Sequence, residues 1–450
     1  MTGKFLNAAF LALALTVAGC GGGDDDAGAQ TGGIDGVCTG DEKKQVVYDL
    51  MHDVYYWYDE VPVVDPEDFA GTNDLLDTLI LPEKNRGHEY SYLTTVAEET
   101  AFLSNAAYVG FGFSMGQDQD GRVFLKESFP GGPAHDAGMR RGDEIISLDG
   151  EDVSLMSTDQ FNAKLEANTV TFGVRHPDTT TSSYSISKAE VTLPVVGEVV
   201  HDLGAAQDTS YIFFRSFVDP AFDELDDAFA AMKAAGDTKL ILDLRYNGGG
   251  LVSVAQHLGS LIGGIDNAGE VVAKLEFNDR YASNNQSHLI ETLTNSVDVT
   301  DMVVITTNGT ASASEMIING LEPFIDVATT GATSYGKPVG QSRLDFDLLN
   351  ADCTEDILRG VTFKVVNAEG AGEYYTGFPP TCPADDDVLH PLGSRDEESL
   401  ASALYYLENG SCDPAIAPKA RHAQAKMMSL QPEGDPFIRD GWDLLIGGAR

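Results

Sequence analysis

Met302-Val-Val-Ile-Thr-Thr-Asn-Gly-Thr-Ala-Ser-Ala-Ser-Glu-Met-Ile-Ile-Asn-Gly-Leu321 is the stretch on which the fold turns. Residues 302–306 form a largely apolar run of strand length, which suits a strand covered on both faces. A polar turn through Asn308 and Gly309 stops it, and apolar residues at helical spacing resume after Glu315. Strand, turn and helix in that order are the unit of a parallel sheet sheathed by helices. The unit recurs upstream: a strand Tyr211-Ile-Phe-Phe214, a helix over residues 221–235 with Phe222, Leu225, Phe229 and Met232 on one face, a strand Leu240-Ile-Leu-Asp-Leu244, the turn Arg245-Tyr-Asn-Gly-Gly-Gly250 and a helix over 251–262. Residues 196–412 are therefore expected to form a layered α/β core.

Ser312 stands where strand gives way to helix. One reading is structural: Ser312-x-x-Glu315 is a capping box, and its serine satisfies helix N–H groups and does nothing more. The other is chemical. The Ala313 N–H lies at a helix N-terminus, where the dipole and unpaired donors favour an oxyanion. Gly248-Gly-Gly250 follows its own strand, so Gly249 or Gly250 would bring a second N–H to the same edge of the sheet, although a tight strand-to-helix turn would use the same glycines. A nucleophilic serine also needs a base, and none of the nine histidines falls in a motif beside it. Lys337, 25 residues on, follows Gly336 just past an expected strand over 326–330. At a pKa of about 10.4 only roughly one lysine in 2,500 is neutral at pH 7, so this amine must be desolvated to accept a proton. A fall of about three pKa units corresponds to roughly 4 kcal/mol against the charged form, which a dry site imposes. Gln341, four residues further, offers an amide oxygen to orient the amine. Gly331-x-x-x-x-Gly-Lys337 also imitates a phosphate loop, but Pro338 stands where such a loop needs a hydroxyl, and no strand-loop-helix context follows.

Upstream of this core the character changes twice. Residues 41–105 read as helical, with Val46, Val47, Leu50, Val54 and Trp57 on one face and Tyr48, Tyr55, Tyr56 and Tyr58 around it, a stripe assigned to packing. Ser91-Tyr-Leu-Thr-Thr95 and a helix over 98–103 close this segment. From Ala107 short alternating runs take over: Tyr108-Val-Gly-Phe-Gly-Phe113, a turn Asp118-Gln-Asp-Gly121, a strand Arg122-Val-Phe-Leu125, and Ala137-Gly-Met-x-x-Gly-Asp-x-Ile-x-x-Leu-x-Gly150. This pattern closely resembles the PDZ domain over residues 106–195. The resemblance implies capture of a peptide's C-terminal end as an added strand, with Gly110, Phe111, Gly112 and Phe113 forming the binding loop. A purely structural module would carry the same residues. Gly112-Phe-Ser-Met-Gly116 matches the elbow of the α/β hydrolases in form only, because a hairpin turn follows it where that motif needs a helix, and Ser114 is set aside as a nucleophile.

Composition bounds the partners. The 450-residue chain carries 28 Lys+Arg against 71 Asp+Glu, a formal charge of −43, whose field opposes nucleic acid and anionic lipid surfaces. At the N-terminus Lys4 precedes an apolar run over 5–18 that is too short to span a bilayer and ends in Val17-Ala-Gly-Cys20. This resembles a bacterial lipoprotein signal, which implies removal of residues 1–19, lipidation of Cys20 and export to the cell envelope, anchored and facing the periplasm. An ordinary secretory leader with an incidental cysteine is the alternative. Residues 20–37 are Gly/Asp-rich and read as a tether. Four cysteines then remain, Cys38, Cys353, Cys382 and Cys412, and an even number in an exported chain suggests disulfides. Cys353 and Cys382, both late in the chain, are the expected pair. No Cys or His cluster has metal-ligand spacing, and neither metal nor cofactor is expected.

Asp243-Leu-Arg-x-Asn-x-Gly-Gly250, Thr310-Ala-Ser-Ala-Ser-Glu315 and Ser334-Tyr-Gly-Lys-x-x-x-Gln341 together resemble the motifs of the C-terminal processing peptidases, also called tail-specific proteases. The resemblance runs to about Leu407 and implies a small N-terminal helical domain (38–105), a PDZ domain (106–195) and a crotonase-like, ClpP-like α/β protease core (196–412); the tail (413–450) lies outside it and has no assigned role. It implies a serine endopeptidase with Ser312 as nucleophile, Lys337 as general base, Gln341 as its orienting partner, and Ala313 with Gly249 or Gly250 as oxyanion donors. Polypeptides would be the substrates, presented by their C-terminal ends. Gly248 replaces the proline common before the paired glycines, and Pro338 replaces the usual glycine after the lysine. A non-catalytic PDZ lipoprotein that binds peptides, and an esterase using the same dyad, are the rival readings.

Overall fold

The computed structural model describes residues 38–416, apart from 119, 202 and 204–207. The expected leader, Cys20, the tether and residues 417–450 of the tail lie outside the described residues.

Helix α1 (Gly40–Asp53) opens with a capping box between Thr39 and Glu42. It buries Val46, Val47, Leu50 and Met51 against Val339, Leu344, Phe346 and Val361 of the core, with α2 (Thr72–Leu79) in the same cluster. The helix stops before Trp57, because the next turn of chain is drawn onto the core: the Tyr56 N–H donates to the Val361 carbonyl at 2.8 Å. Strand β1 (Tyr92–Thr95) pairs antiparallel with a core strand, and α3 (Val96–Asn105) follows from a second capping box at Thr95 and Glu98. The helical segment is thus knitted into the core rather than closed upon itself.

The PDZ region is an antiparallel sheet of β2 (Phe113–Gln117), β3 (Val123–Ser128), β4 (Glu144–Leu148), β5 (Thr169–Arg175) and β6 (Thr181–Ser187), in that order, with α4 (Thr158–Leu165) before β5. Phe111, Phe113, Leu125, Phe161 and Phe172 fill its core. Among the described residues β2 pairs with β3 alone, which leaves it at the edge.

The core carries β7 (Thr209–Phe214), α5 (Ala221–Ala235), β8 (Lys239–Asp243), α6 (Val252–Gly263), β9 (Val271–Phe277), β10 (Asp301–Thr306), α7 (Ala313–Leu321), β11 (Asp326–Gly331), β12 (Val339–Asp345), β13 (Asp356–Val366) and α8 (Glu398–Asn409). Strands β7, β8, β10 and β11 run parallel as neighbours, as the strand–turn–helix pattern predicts. Helices α5, α6 and α7 bury one continuous cluster, while α8 packs in a second with Tyr211, Phe213, Ile241 and Val303. A second, antiparallel sheet forms around β13, which pairs with β12, with β9 through residues 363–366 and with β1 through residues 356–359.

The cysteines differ from expectation. Cys38 is bonded to Cys353 and Cys382 to Cys412, with Cα atoms 4.8 and 5.2 Å apart. Closeness in sequence misleads here: Cys353 lies in the cluster beneath α1, whereas Cys382 lies on a strand beside β11. The first bond therefore ties the start of the N-terminal segment to the core, and the second ties the chain after α8 to the parallel sheet.

Candidate active site

Two loops leave the carboxyl ends of neighbouring parallel strands and are stitched together. After β8 the chain runs through residues 244–250; after β10 it runs through 307–312. Thr310 Oγ1 donates to the Leu244 carbonyl at 2.8 Å, Ser314 Oγ to the Asn247 carbonyl at 2.8 Å, and Thr307 Oγ1 to the Arg245 carbonyl. Arg245 is fully buried and anchors the first loop through carboxylates of Asp243 at 2.8 Å, Glu397 at 2.7 Å and Asp386 at 3.2 Å. A buried guanidinium is tolerable only when paired this completely.

Ser312 sits at φ +55°, ψ −116°, far from the extended backbone of an ordinary N-cap. Such a conformation costs about 1–3 kcal/mol and persists only where surrounding contacts impose it. Gly249 presses against this bend: a Cβ there would stand 2.8 Å from both the Ala313 nitrogen and the Ser312 Cβ, and its φ is +98°. Of the two glycines offered as oxyanion donors, Gly249 already donates its N–H to Asn247 Oδ1 at 2.9 Å. Gly250 is left to face the cavity beside Ser312 and Ala313.

Lys337 is 1% exposed, and its Nζ donates to Gln341 Oε1. Burial holds its amine down to about 7, against the opposing pull of the Glu83 and Glu315 carboxylates. With Pro338 beside it, Lys337 still reaches Gln341 and the cavity that Ser312 lines. Position 338 contributes only its carbonyl, which accepts the Val365 N–H at 2.8 Å, so a missing N–H leaves nothing unpaired. Ser312, Ala313, Gly250, Lys337 and Gln341 line one cavity, walled by the apolar side chains of Phe102, Met316, Phe363 and Val365.

Glu315 joins the halves of the site. Fully buried, it accepts the Ser312 N–H at 3.0 Å, Ser334 Oγ at 2.6 Å, the Gly336 N–H at 2.7 Å and the Lys337 N–H at 2.8 Å. Burial pushes its carboxyl up to about 7 while these four donors pull it down. Sequence reasoning gave Glu315 only a capping role; its bonds to the lysine loop span 19 to 22 residues and have no local signal.

The PDZ residues are elsewhere. Gly110, Phe111, Gly112 and Phe113 are absent from the lining of this cavity. Phe111 and Phe113 are buried in the PDZ core, and Gly112, at φ +84°, lies so close to Gly132 that a Cβ would stand 2.9 Å from its Cα. Ser114 lies inside β2 with no helix after it. Among the described residues no group of three or more His, Cys, Asp or Glu could hold a metal ion.

Family models match three stretches of the chain: the peptidase S41 N-terminal domain over residues 42–92, the PDZ domain over 101–175 and peptidase family S41 over 208–381. The carboxy-terminal processing protease CtpA of Bacillus subtilis is 27% identical over 253 residues, covering 54% of this chain and 50% of that protein. The carboxyl-terminal-processing protease of Synechocystis is 28% identical over 287 residues, covering 61% and 58%. The chain thus spans little more than half the length of the curated relatives it matches. A crystal structure of a Bacteroides fragilis protein assigned to the S41 proteases superposes with a TM-score of 0.66 at 22% identity, over 81% of this chain and 97% of that one, and shares its fold. The chain carries the N-terminal and peptidase domains of family S41, and the curated relatives it resembles are carboxy-terminal processing proteases.

Proposed function

We propose that this S41 member is a serine endopeptidase that acts on unfolded or tail-marked exported polypeptides. The observation that carries the reading is the buried Lys337 amine, fixed on Gln341 in the same cavity as Ser312. In this reading neutral Lys337 Nζ takes the Ser312 hydroxyl proton and the oxygen attacks a peptide carbonyl. The tetrahedral oxyanion is held by the N–H groups of Ala313 and Gly250, and the ammonium then returns its proton to the departing amine. Water, deprotonated by the same lysine, releases the acyl group. Gly249 serves the oxyanion loop as the residue small enough to let it close on Ser312.

The PDZ loop at Gly110, Phe111, Gly112 and Phe113 would capture the substrate's C-terminal end along the open edge of β2. Lipidation at Cys20 would hold the enzyme on the cell envelope, facing the periplasm, and two disulfides suit that oxidising location.

The test is incubation of the mature chain without its anchor with reduced, unfolded casein and a serine-reactive probe. Cleavage and labelling are expected for the wild type, with neither for Ser312→Ala and no cleavage for Lys337→Ala. Casein digestion by Ser312→Ala at the wild-type rate would sink the reading. Turnover of esters without casein cleavage would point instead to an esterase.

A further inference from the structure

The groups that fix Lys337 are not confined to the loop that carries it. Tyr90, from the N-terminal segment, meets that loop and the strand after it at three points. Its hydroxyl donates to the Gly336 carbonyl at 2.7 Å, its main-chain carbonyl accepts the Gln341 amide Nε2, and its ring centroid lies 5.6 Å from Lys337 Nζ. Behind Tyr90 stands Glu83, fully buried. Its carboxylate accepts the Tyr90 N–H, the Ser91 N–H at 2.9 Å, Ser91 Oγ at 2.5 Å and the Tyr55 hydroxyl at 3.0 Å.

The peptide unit between Tyr90 and Ser91 is therefore held at both ends, its N–H on Glu83 and its carbonyl on Gln341. That commitment decides which way the Gln341 amide faces: its nitrogen is taken by main-chain carbonyls, so its oxygen is the end presented to Lys337. We propose that Glu83 and Tyr90 are positioning residues of the Ser312–Lys337 site. Glu83 orients the 90–91 peptide, that peptide orients Gln341, and Gln341 together with the Tyr90 hydroxyl sets the amine and the loop of Lys337. The inference rests on the reading of Lys337 as general base.

Scaffolding alone does not explain Glu83, since an apolar side chain of similar volume packs a buried site without the desolvation cost of a carboxylate. The charged groups facing Lys337 are Glu83 from the N-terminal segment, Glu315 from α7 and Arg359 from β13, with Tyr90 the nearby titratable ring. Loss of the Glu83 charge removes one of two carboxylates that favour the ammonium, so the Lys337 midpoint falls.

The test compares wild type, Glu83→Gln, Glu83→Asp and Tyr90→Phe in the mature chain. Lys337 is titrated by NMR of 13C-labelled lysine, and kcat and KM are measured across pH on an unfolded substrate. Glu83→Gln is expected to lower the Lys337 midpoint by roughly half a pH unit or more and to move the acid limb of kcat/KM with it, while Glu83→Asp restores both in part. Tyr90→Phe is expected to cut kcat about tenfold with KM within about twofold. A folded Glu83→Gln with an unchanged Lys337 midpoint, together with wild-type kcat in Tyr90→Phe, overturns the proposal. If Glu83→Gln does not fold, Tyr90→Phe, which removes a single hydroxyl, decides alone. If the midpoint moves as expected while the wild type cleaves nothing, positioning stands and the peptidase reading falls.

Discussion

One carboxylate oxygen, Glu315 Oε2, accepts the main-chain N–H of Ser312 at 3.0 Å and that of Lys337 at 2.8 Å, so the residues read as nucleophile and base hang from the same atom. Glu315→Gln keeps the shape but turns an amide donor toward groups that are all donors. A buried mismatch of this kind costs about 1–3 kcal/mol, more where a charged partner is lost, and it frees the lysine loop. Thermal unfolding is expected at lower temperature, and casein cleavage is expected to fall at least about a hundredfold. Wild-type rates in a folded variant would show that the shared atom is incidental.

The pH dependence follows from Lys337. Its amine is held down to about 7 by burial, and activity in the proposed mechanism requires the neutral form. The rate therefore rises with pH along an acid limb centred near 7, and the limb should vanish in Lys337→Ala with the residual activity. Glu315 titrates in the same range, so the limb reports the pair rather than a single group. The sign for stability is the same. A lysine depressed in the fold is charged at a cost below about 7, and that cost fades as pH rises toward the unfolded value of 10.5. Relative to wild type, Lys337→Met is therefore expected to gain more stability at pH 6 than at pH 10, measured by denaturant unfolding.

Gly249→Ala asks for a Cβ 2.8 Å from the Ala313 nitrogen, at φ +98°. Backbone contacts cannot yield as a flexible side chain would, so the loop 244–250 must move away from Ser312. The expected outcome is loss of serine-probe labelling by at least about a hundredfold, with peptide binding by the PDZ region unchanged. Full labelling of this variant would argue that the glycine loop takes no part in the oxyanion site.

Cys38 and Cys353 bind the start of α1 to the cluster that includes Val339 and Val361. Reduction, or Cys38→Ser, removes the covalent tie on the segment that carries Glu83 and Tyr90. A loss of about 2–4 kcal/mol is expected from the cross-link alone. Activity at temperatures where the chain remains folded should fall as well, whereas Cys412→Ser should affect stability more than kcat. Equal kcat for wild type and Cys38→Ser would show that the segment holds its place without the bond.

Much of the core was legible in the residues. Apolar runs at 211–214, 240–244 and 302–306 became parallel strands within a residue or two, and the helix expected over 221–235 is present with those bounds. Ser312, Lys337 and Gln341 could be singled out as candidates because a serine at a strand–helix junction needs a base, and the lysine and glutamine are residue types able to supply and orient one. The disulfide partners were not, because Cys38 and Cys353 are 315 residues apart. Nor was the bond that takes up the Gly249 N–H, which reaches back to Asn247 within the turn.

The sequence by itself determined the alternation of strand and helix, the serine at a strand–helix junction, and a lysine with a glutamine four residues on, since local periodicity and residue type carry that information. Only the tertiary structure decided whether the lysine was dry, which way the Gln341 amide faced, and that Glu315, Glu83 and Tyr90 surround it. Those properties arise from burial and from contacts between segments far apart in the chain, and no spacing of letters along one strand or helix encodes them.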